Sequence, residues 1–235
     1  MGKWKGPLLL LLTLALVAAG ALLPRLVAAV TDGSAAERVD YGELTPVELD
    51  LREKTSLTTE QKLFLVHHGD SIQISAADVS MTEAEALAAA ENALTPYYDA
   101  GLLPTLAAGE TTCSPVLTYS TINDFYGYFW QITILQDGNW QLELVLDDET
   151  GRLMSIFFWT GDHVFYEEKM DATLETFVDI CLGALELERP EDSQYTGLDG
   201  ERRSVRCWWL IPDNSGELNF SVEFMLCPNG FDIVG

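Results

Sequence analysis

The sequence predicts an α+β protein in which an N-terminal transmembrane helix precedes two helix-plus-antiparallel-hairpin units, whose strands form an antiparallel sheet packed by helices. Residues 1–30 are basic and then apolar, strands of alternating hydrophobicity follow capped helices, and the order helix then hairpin occurs twice. Helices set apart from an antiparallel sheet that needs one face covered are typical of the α+β class. The predicted divisions are a signal anchor at 1–30, a juxtamembrane spacer at 31–57, a helix plus antiparallel meander at 58–160 and a second helix-hairpin unit at 161–235.

The N-terminal segment has the composition of an export signal or a membrane anchor. Lys3 and Lys5 precede an uncharged, leucine-rich run at 7–24, and no acidic residue occurs before Asp32. Cleaved signals usually have an apolar core of about 7–15 residues, so this longer run favours an uncleaved anchor. The expectation is a single-pass cell-membrane protein with an extracytoplasmic C-terminal domain. Because the Ala-Gly-Ala sequence at 19–21 fits a cleavage site, secretion after signal cleavage is the alternative.

The charge of the chain excludes one class of partner. The sequence has 37 acidic and 13 basic residues and a net charge of −24. Binding to phosphate requires a basic surface, so nucleic acid is not an expected partner. The acidic residues are expected to form a solvated surface.

Two helices are marked by capping residues in the first unit. Thr58 or Thr59 caps a short helix that Gly69 ends. The next begins with the sequence Thr-Glu-Ala-Glu at 82–85, in which the threonine and the second glutamate form a capping box. Apolar residues at helical spacing follow as far as Pro96, which is expected to stop or kink this helix.

Alternating apolar residues then predict a meander of three or four antiparallel strands. A three-residue turn at 137–139 opposes Ile134 to Leu142, Ile132 to Leu144 and Trp130 to Leu146. A two-residue turn would instead oppose apolar to polar positions, so we reject it. A second turn at 148–151 leads into a strand at 153–159.

The second unit contains a helix that begins at Asp171 and a hairpin at 203–211 and 217–226. Pairing Pro212 with Glu217 brings apolar residues opposite one another, and it places Cys207 opposite Val222. Cys227 would then lie about 16 Å from Cys207, beyond the limit of about 7 Å for a disulfide. This bond is therefore disfavoured, and the other pairings stay open. The four cysteines are Cys113, Cys181, Cys207 and Cys227; on the core face of the helix, Cys181 is expected to be a buried free thiol.

One family resemblance follows from these elements. The capped helix at 81–87, the strand at 140–146 and the tetrad Glu149-Thr150-Gly151-Arg152 resemble a PepSY-type domain over about residues 80–158, with a degenerate second copy in 171–234. The long insertion between Thr95 and Pro115 departs from the PepSY pattern. PepSY domains are extracytoplasmic α+β modules, so the resemblance implies a regulatory, inhibitory or interaction role outside the membrane. It carries over no catalytic residue.

Two polar clusters raise the question of metal binding. The sequence His-His-Gly-Asp at 67–70 looks like a ligand set, but adjacent helical residues point about 100° apart, so a contact with the carbonyl end of the helix is the preferred interpretation. Asp147, Asp148 and Glu149 lack the spacing of a calcium loop, so a solvated acidic turn is preferred. No metal or cofactor is predicted.

Clustered aromatic residues are the remaining candidates for a binding site. Alternation places Tyr126, Tyr128 and Trp130 on one face of their strand, and Trp208 points away from the apolar face of its hairpin. Either a helix buries these rings or Tyr126, Tyr128 and Trp208 form a surface that binds a partner.

The sequence therefore predicts a membrane-tethered extracytoplasmic protein without catalytic activity that binds or regulates a protein or an envelope ligand. The N-terminal helix would contact the membrane, and the partner would be an extracytoplasmic protein. The alternative is a secreted or envelope-associated hydrolase that uses carboxylates such as Asp162 or Glu167. A third hypothesis is a calcium-stiffened spacer.

Overall fold

The computed structural model describes residues 57–104, 109–121, 123, 125–136, 140–162, 164–198, 202–213 and 216–235. The helices in these ranges are α1 (Thr59–His68), α2 (Glu83–Asp99) and α3 (Met170–Leu185), the last preceded by a 3₁₀ turn at Glu167–Lys169. The strands are β1 (Asp70–Gln73), β2 (Glu110–Ser120), β3 (Phe125–Gln136), β4 (Trp140–Asp147), β5 (Leu153–Thr160), β6 (Gln194–Leu198), β7 (Arg202–Asp213), β8 (Gly216–Cys227) and β9 (Gly230–Val234).

All these strands belong to one antiparallel sheet with the order β1-β2-β3-β4-β5-β9-β8-β7-β6. Strand β9 lies inside this sheet and pairs with residues 157–159 of β5 on one side and 223–227 of β8 on the other. The α+β character is thus confirmed, but the predicted architecture of two helix-plus-hairpin units is wrong. A short strand from the C-terminal region joins both hairpins into a single sheet.

The junction between β9 and β5 depends on one glycine. A Cβ atom on Gly230 would lie 2.1 Å from the carbonyl oxygen of Phe158, which is backbone and cannot rotate away. Glycine in a strand commonly marks such a close approach of two backbones. The sequence prediction ended the last hairpin before this residue, so it missed the strand that unites the sheet.

Both predicted hairpin registers are confirmed. In β3 and β4, Ile134 lies opposite Leu142, Ile132 opposite Leu144 and Trp130 opposite Leu146. In β7 and β8, Pro212 lies opposite Glu217 and Cys207 opposite Val222. The four cysteines are free, and Cys181 is buried as predicted. Matching apolar faces were therefore sufficient to define local strand pairing.

One face of the sheet, which we call the inner face, packs against α2 and α3. Its centre is Phe231 of β9, whose ring centroid lies 4.6 Å from that of Phe177 in α3 and 6.1 Å from that of Tyr97 in α2. The ring of Phe158 in β5 lies 5.4 Å from the same centre. Helix α2 continues past Pro96 to Asp99, so the predicted stop at Pro96 is wrong, while the alternative of a kink stays a prediction. The aromatic cluster explains the continuation, because the next residue, Tyr97, is fully packed.

Helix α1 has the predicted caps. Thr58 and Gln61 form a capping box at its start, and Gly69 ends it. It contacts β2, β3, β5 and β7, with Leu63 and Leu65 fully buried. It therefore ties together strands that are far apart in the order of the sheet.

No helix in the described ranges is both long and apolar enough to cross a membrane. The predicted anchor at 1–30 and the predicted spacer, apart from Leu57, lie outside those ranges.

Candidate functional site

The first candidate is the acidic turn, residues 147–152, which connects β4 to β5. Asp148 is completely buried. Its carboxylate accepts hydrogen bonds from the backbone N–H of Ser80 at 2.6 Å, the backbone N–H of Met81 at 3.0 Å and Nε1 of Trp130 at 3.0 Å. Three donors satisfy this charge, so Asp148 fastens the segment before α2 to β3.

Lys62 of α1 neutralises the negative charge of the other carboxylates in the acidic turn, those of Asp147 and Glu149. Its Nζ lies 2.9 Å from Oδ1 of Asp147 and 2.8 Å from Oε2 of Glu149. Burial acts to lower the pKa of Lys62, but the hydrogen bonds to Glu149 and Asp147 outweigh burial and raise this pKa. Asp147 also accepts a hydrogen bond from the backbone N–H of Thr150 at 3.1 Å. Lys62 therefore forms ion pairs with both Asp147 and Glu149.

A cavity of about 140 Å³ adjoins this ion pair. It is lined by Leu57, Thr59, Lys62, Asp147, Glu149, Thr150, Arg152 and Met154. Gly151 occupies the left-handed region at φ 68°, as the turn requires. Because the partners of Asp147 and Asp148 lie in α1, in the segment before α2 and in the sheet, the acidic turn is a structural junction.

The second candidate lies on the opposite side of the sheet from α2 and α3, which we call the outer face. There β4, β5 and β9 form an open depression of about 310 Å³, which we call the outer depression. It is lined by Gln141, Glu143, Val145, Ser155, Phe157 and Asp232. The register places Phe157 directly between Glu143 on β4 and Asp232 on β9. An aromatic ring therefore separates two carboxylates in one cross-strand row.

Asp232 is the group in this depression with a clear electrostatic perturbation. Burial raises its pKa to about 6; the charge of Glu143 contributes to this increase, and a hydrogen bond with the backbone of Ile233 opposes it. Glu143 accepts a hydrogen bond from the side-chain amide of its neighbour Gln141. The depression thus holds a carboxylate that is costly to ionise in the absence of a cation.

The structure does not bring the predicted aromatic residues together. Tyr126 and Tyr128 are half-buried on β3, with ring centroids 6.2 Å apart. Trp208 is half-buried on β7, and four strands separate β3 from β7 in the sheet. Their partner-binding role stays a prediction. Trp130, which shares a face with the tyrosines, is buried and bonded to Asp148.

The histidine cluster has a packing role. His68 stacks on Phe64 at a centroid distance of 5.3 Å, and its Nε2 lies 3.3 Å from the carbonyl oxygen of Ser221. Burial lowers the pKa of His67 to about 4, with a further contribution from His68. Among the residues that the structure describes, no group of three or more histidine, cysteine or acidic side chains is placed to hold a metal ion.

The carboxylates named for the hydrolase alternative lie elsewhere. Asp162 and Glu167 are exposed, and neither lines the outer depression. Sequence reasoning missed Glu143, Phe157 and Asp232. Strand alternation gives the outward direction of the first two, but Asp232 joins them only through the pairing of β9 with β5.

Comparisons with protein-family models, with curated proteins and with solved structures find no match. They neither support nor contradict the resemblance to PepSY domains, which stays a prediction. The assignment of function therefore depends on the sequence and on the described sites.

Proposed function

We propose that this protein is a non-catalytic binding or regulatory protein that acts outside the cytoplasm, through contacts of its outer face with another protein or an envelope ligand. Export would depend on the basic and apolar segment at 1–30. The PepSY-like features at 80–158 are in line with such a role.

The observation that carries this proposal is a set of exposed apolar side chains on the outer face. Leu135, Trp159 and Leu210 are 43%, 42% and 60% exposed. By register and alternation all three point to the outer face, and Leu135 and Trp159 flank Gln141 in one cross-strand row. Exposed apolar residues on one sheet face, rimmed by polar groups, are typical of interaction surfaces.

Site-specific photo-cross-linking in the native host tests this proposal. A photoreactive phenylalanine analogue replaces Trp159 in the full-length protein, and the matched control carries it at Tyr166, which is 72% exposed but lies outside the sheet. We expect one discrete adduct from position 159 and none from position 166. Equal labelling at both positions would contradict a specific role for the outer face.

The location is tested in the same cells. Externally added protease should digest the C-terminal domain in intact cells or in cells whose outer layer alone is opened. Protection until the cytoplasmic membrane is broken would refute an extracytoplasmic role.

The hydrolase alternative has one observation in its favour. Asp232, with its pKa raised to about 6, could hold a proton under mildly acidic conditions, as a general acid must. Its test is hydrolysis of a panel of chromogenic ester and glycoside substrates by the full-length protein and by D232N. Turnover that D232N abolishes would favour an enzyme over a binding protein.

A further inference from the structure

The outer depression contains two carboxylates, Glu143 and Asp232, that form no ion pair with a lysine or arginine in the described ranges. In the described part of the chain, salt bridges supply a basic partner to six other carboxylates, namely Asp147, Glu149, Asp171, Glu175, Glu186 and Glu223. None of these bridges reaches Glu143 or Asp232. Arg206 of β7, which by alternation also points to the outer face, is bonded to Glu223, with Nη2 and Oε2 2.6 Å apart. The charge of the depression is therefore not compensated from within the described sheet.

The side chains that line the depression are suited to binding a cation whose charged group is planar and weakly hydrated. Phe157 lies between the two carboxylates in its cross-strand row, and Val145 adds a second apolar wall. An aromatic face attracts a cation through its quadrupole, most strongly where water is partly excluded. Arginine satisfies both requirements, because its planar guanidinium stacks on rings and donates up to five hydrogen bonds to carboxylates.

We infer that the outer depression binds an arginine side chain of a protein partner, stacked on Phe157 and hydrogen-bonded to Glu143 and Asp232. This inference rests on the proposed function and names the chemistry of its partner. The volume of about 310 Å³ accommodates one such side chain. A guanidinium bound in the outer depression lowers the cost of ionising Asp232, because a nearby positive charge favours the carboxylate form.

The overall charge supports a basic partner. The net charge of −24 attracts basic proteins over distances of about 8–10 Å at physiological salt. Such attraction is not specific to one site. A decisive experiment must therefore separate the two carboxylates of the depression from the acidic surface as a whole.

The first test is the binding of a fluorescein-labelled hexa-arginine peptide to the full-length protein in an uncharged detergent at 150 mM salt, measured by fluorescence anisotropy. The comparison peptide contains citrulline, which has nearly the same shape but no charge. The variant E143Q/D232N removes the two carboxylates of the depression. The matched control E167Q/E168Q removes two exposed carboxylates of the 3₁₀ turn, which does not line the depression.

We expect E143Q/D232N to weaken binding at least ten-fold, the control pair less than two-fold and F157L several-fold. The citrulline peptide should not bind. Equal losses in the two paired variants, or equal binding of both peptides, would overturn the inference. Thermal unfolding of each variant verifies folding, and E143Q and D232N alone serve as single variants if the pair is unstable.

The second test uses the cross-link at position 159 in cells. If the adduct forms and E143Q/D232N reduces it while the control pair does not, the inference is supported. If the adduct persists at full yield in E143Q/D232N, the inference is overturned and the proposed function stands. If position 159 forms no adduct at all, the proposed function fails, and the inference fails with it.

Discussion

Strand β4 contributes acidic residues to two sites with opposite surroundings. At its end, Asp147 is 2% exposed and paired with Lys62, and the next residue, Asp148, is satisfied by three donors. Earlier on the same strand, Glu143 faces the outer depression, where no described lysine or arginine forms an ion pair with it or with Asp232. A buried charge with complete hydrogen bonding stabilises a fold, whereas an uncompensated one at an open surface is available to a ligand.

The largest expected effect is the loss of Asp148. D148A leaves two backbone N–H groups and the indole N–H of Trp130 without an acceptor, so we expect a loss of about 4 kcal/mol in the free energy of unfolding. Urea denaturation measures this loss. If D148A costs no more than D232N, the contrast between the two sites is refuted.

The second expected effect is the loss of Lys62. K62M leaves Asp147 buried without its cation, which should cost about 3 kcal/mol. E149Q is the matched control, because the side chain of Glu149 is 40% exposed and its share of the ion pair should be worth less than about 1 kcal/mol. Similar losses for K62M and E149Q in urea denaturation would contradict this assignment.

The third prediction concerns the strand that brings Asp232 to Glu143. G230A introduces a Cβ atom 2.1 Å from the carbonyl oxygen of Phe158 and should cost about 2–3 kcal/mol. As β9 moves away from β5, Asp232 becomes less buried and lies farther from Glu143, so its pKa should fall towards its ordinary value. Chemical shifts of the Asp232 side-chain carboxyl during a pH titration measure that change. An unaltered titration in G230A would show that β9 does not create the perturbation. G183A, at a site with open space around the new Cβ, is the control.

The fourth prediction is a pH dependence with two opposing parts. Burial raises the pKa of Asp232 from 3.8 to about 6, so the folded protein keeps a proton there that the unfolded chain releases, and stability falls as pH rises through this window. Burial lowers the pKa of His67 from 6.5 to about 4, so the unfolded chain holds the extra proton, and stability rises with pH between 4 and 6.5. The two contributions oppose each other over most of this range.

Single variants separate these contributions. Thermal unfolding is measured between pH 4 and 6.5. D232N should make the melting temperature rise more steeply with pH, and H67N should make the melting temperature fall with increasing pH. The change in slope that each variant causes corresponds to a difference of about one bound proton or less between the unfolded and the folded state. Identical profiles for the wild type and both variants would rule out this linkage.

Local structure followed from the sequence because its determinants are local. Thr82 and Glu85 form their capping box three residues apart. The hairpin pairing of Ile132 with Leu144 depends on one turn and on matched apolar faces. These features need no knowledge of the rest of the chain.

The acidic turn and the outer depression could not be predicted from such signals. The sequence predicts Asp148 to be part of a solvated turn, and this prediction is wrong because Asp148 is buried. Its partner Trp130 lies on another strand, and Ser80 and Met81 precede a helix far away in the sequence. Asp232 reaches Glu143 only across β5. Contacts between distant segments determined both sites, and alternation within one strand does not encode them.

The position of β9 also has a consequence for the order of folding. Residues 230–234 follow every other described strand in the sequence, yet they lie inside the sheet, between β5 and β8. Until they are in place, β5 and β8 each present an open edge, and unpaired edges invite pairing with other chains. During synthesis the two parts of the sheet can therefore join only after all the other described strands have emerged.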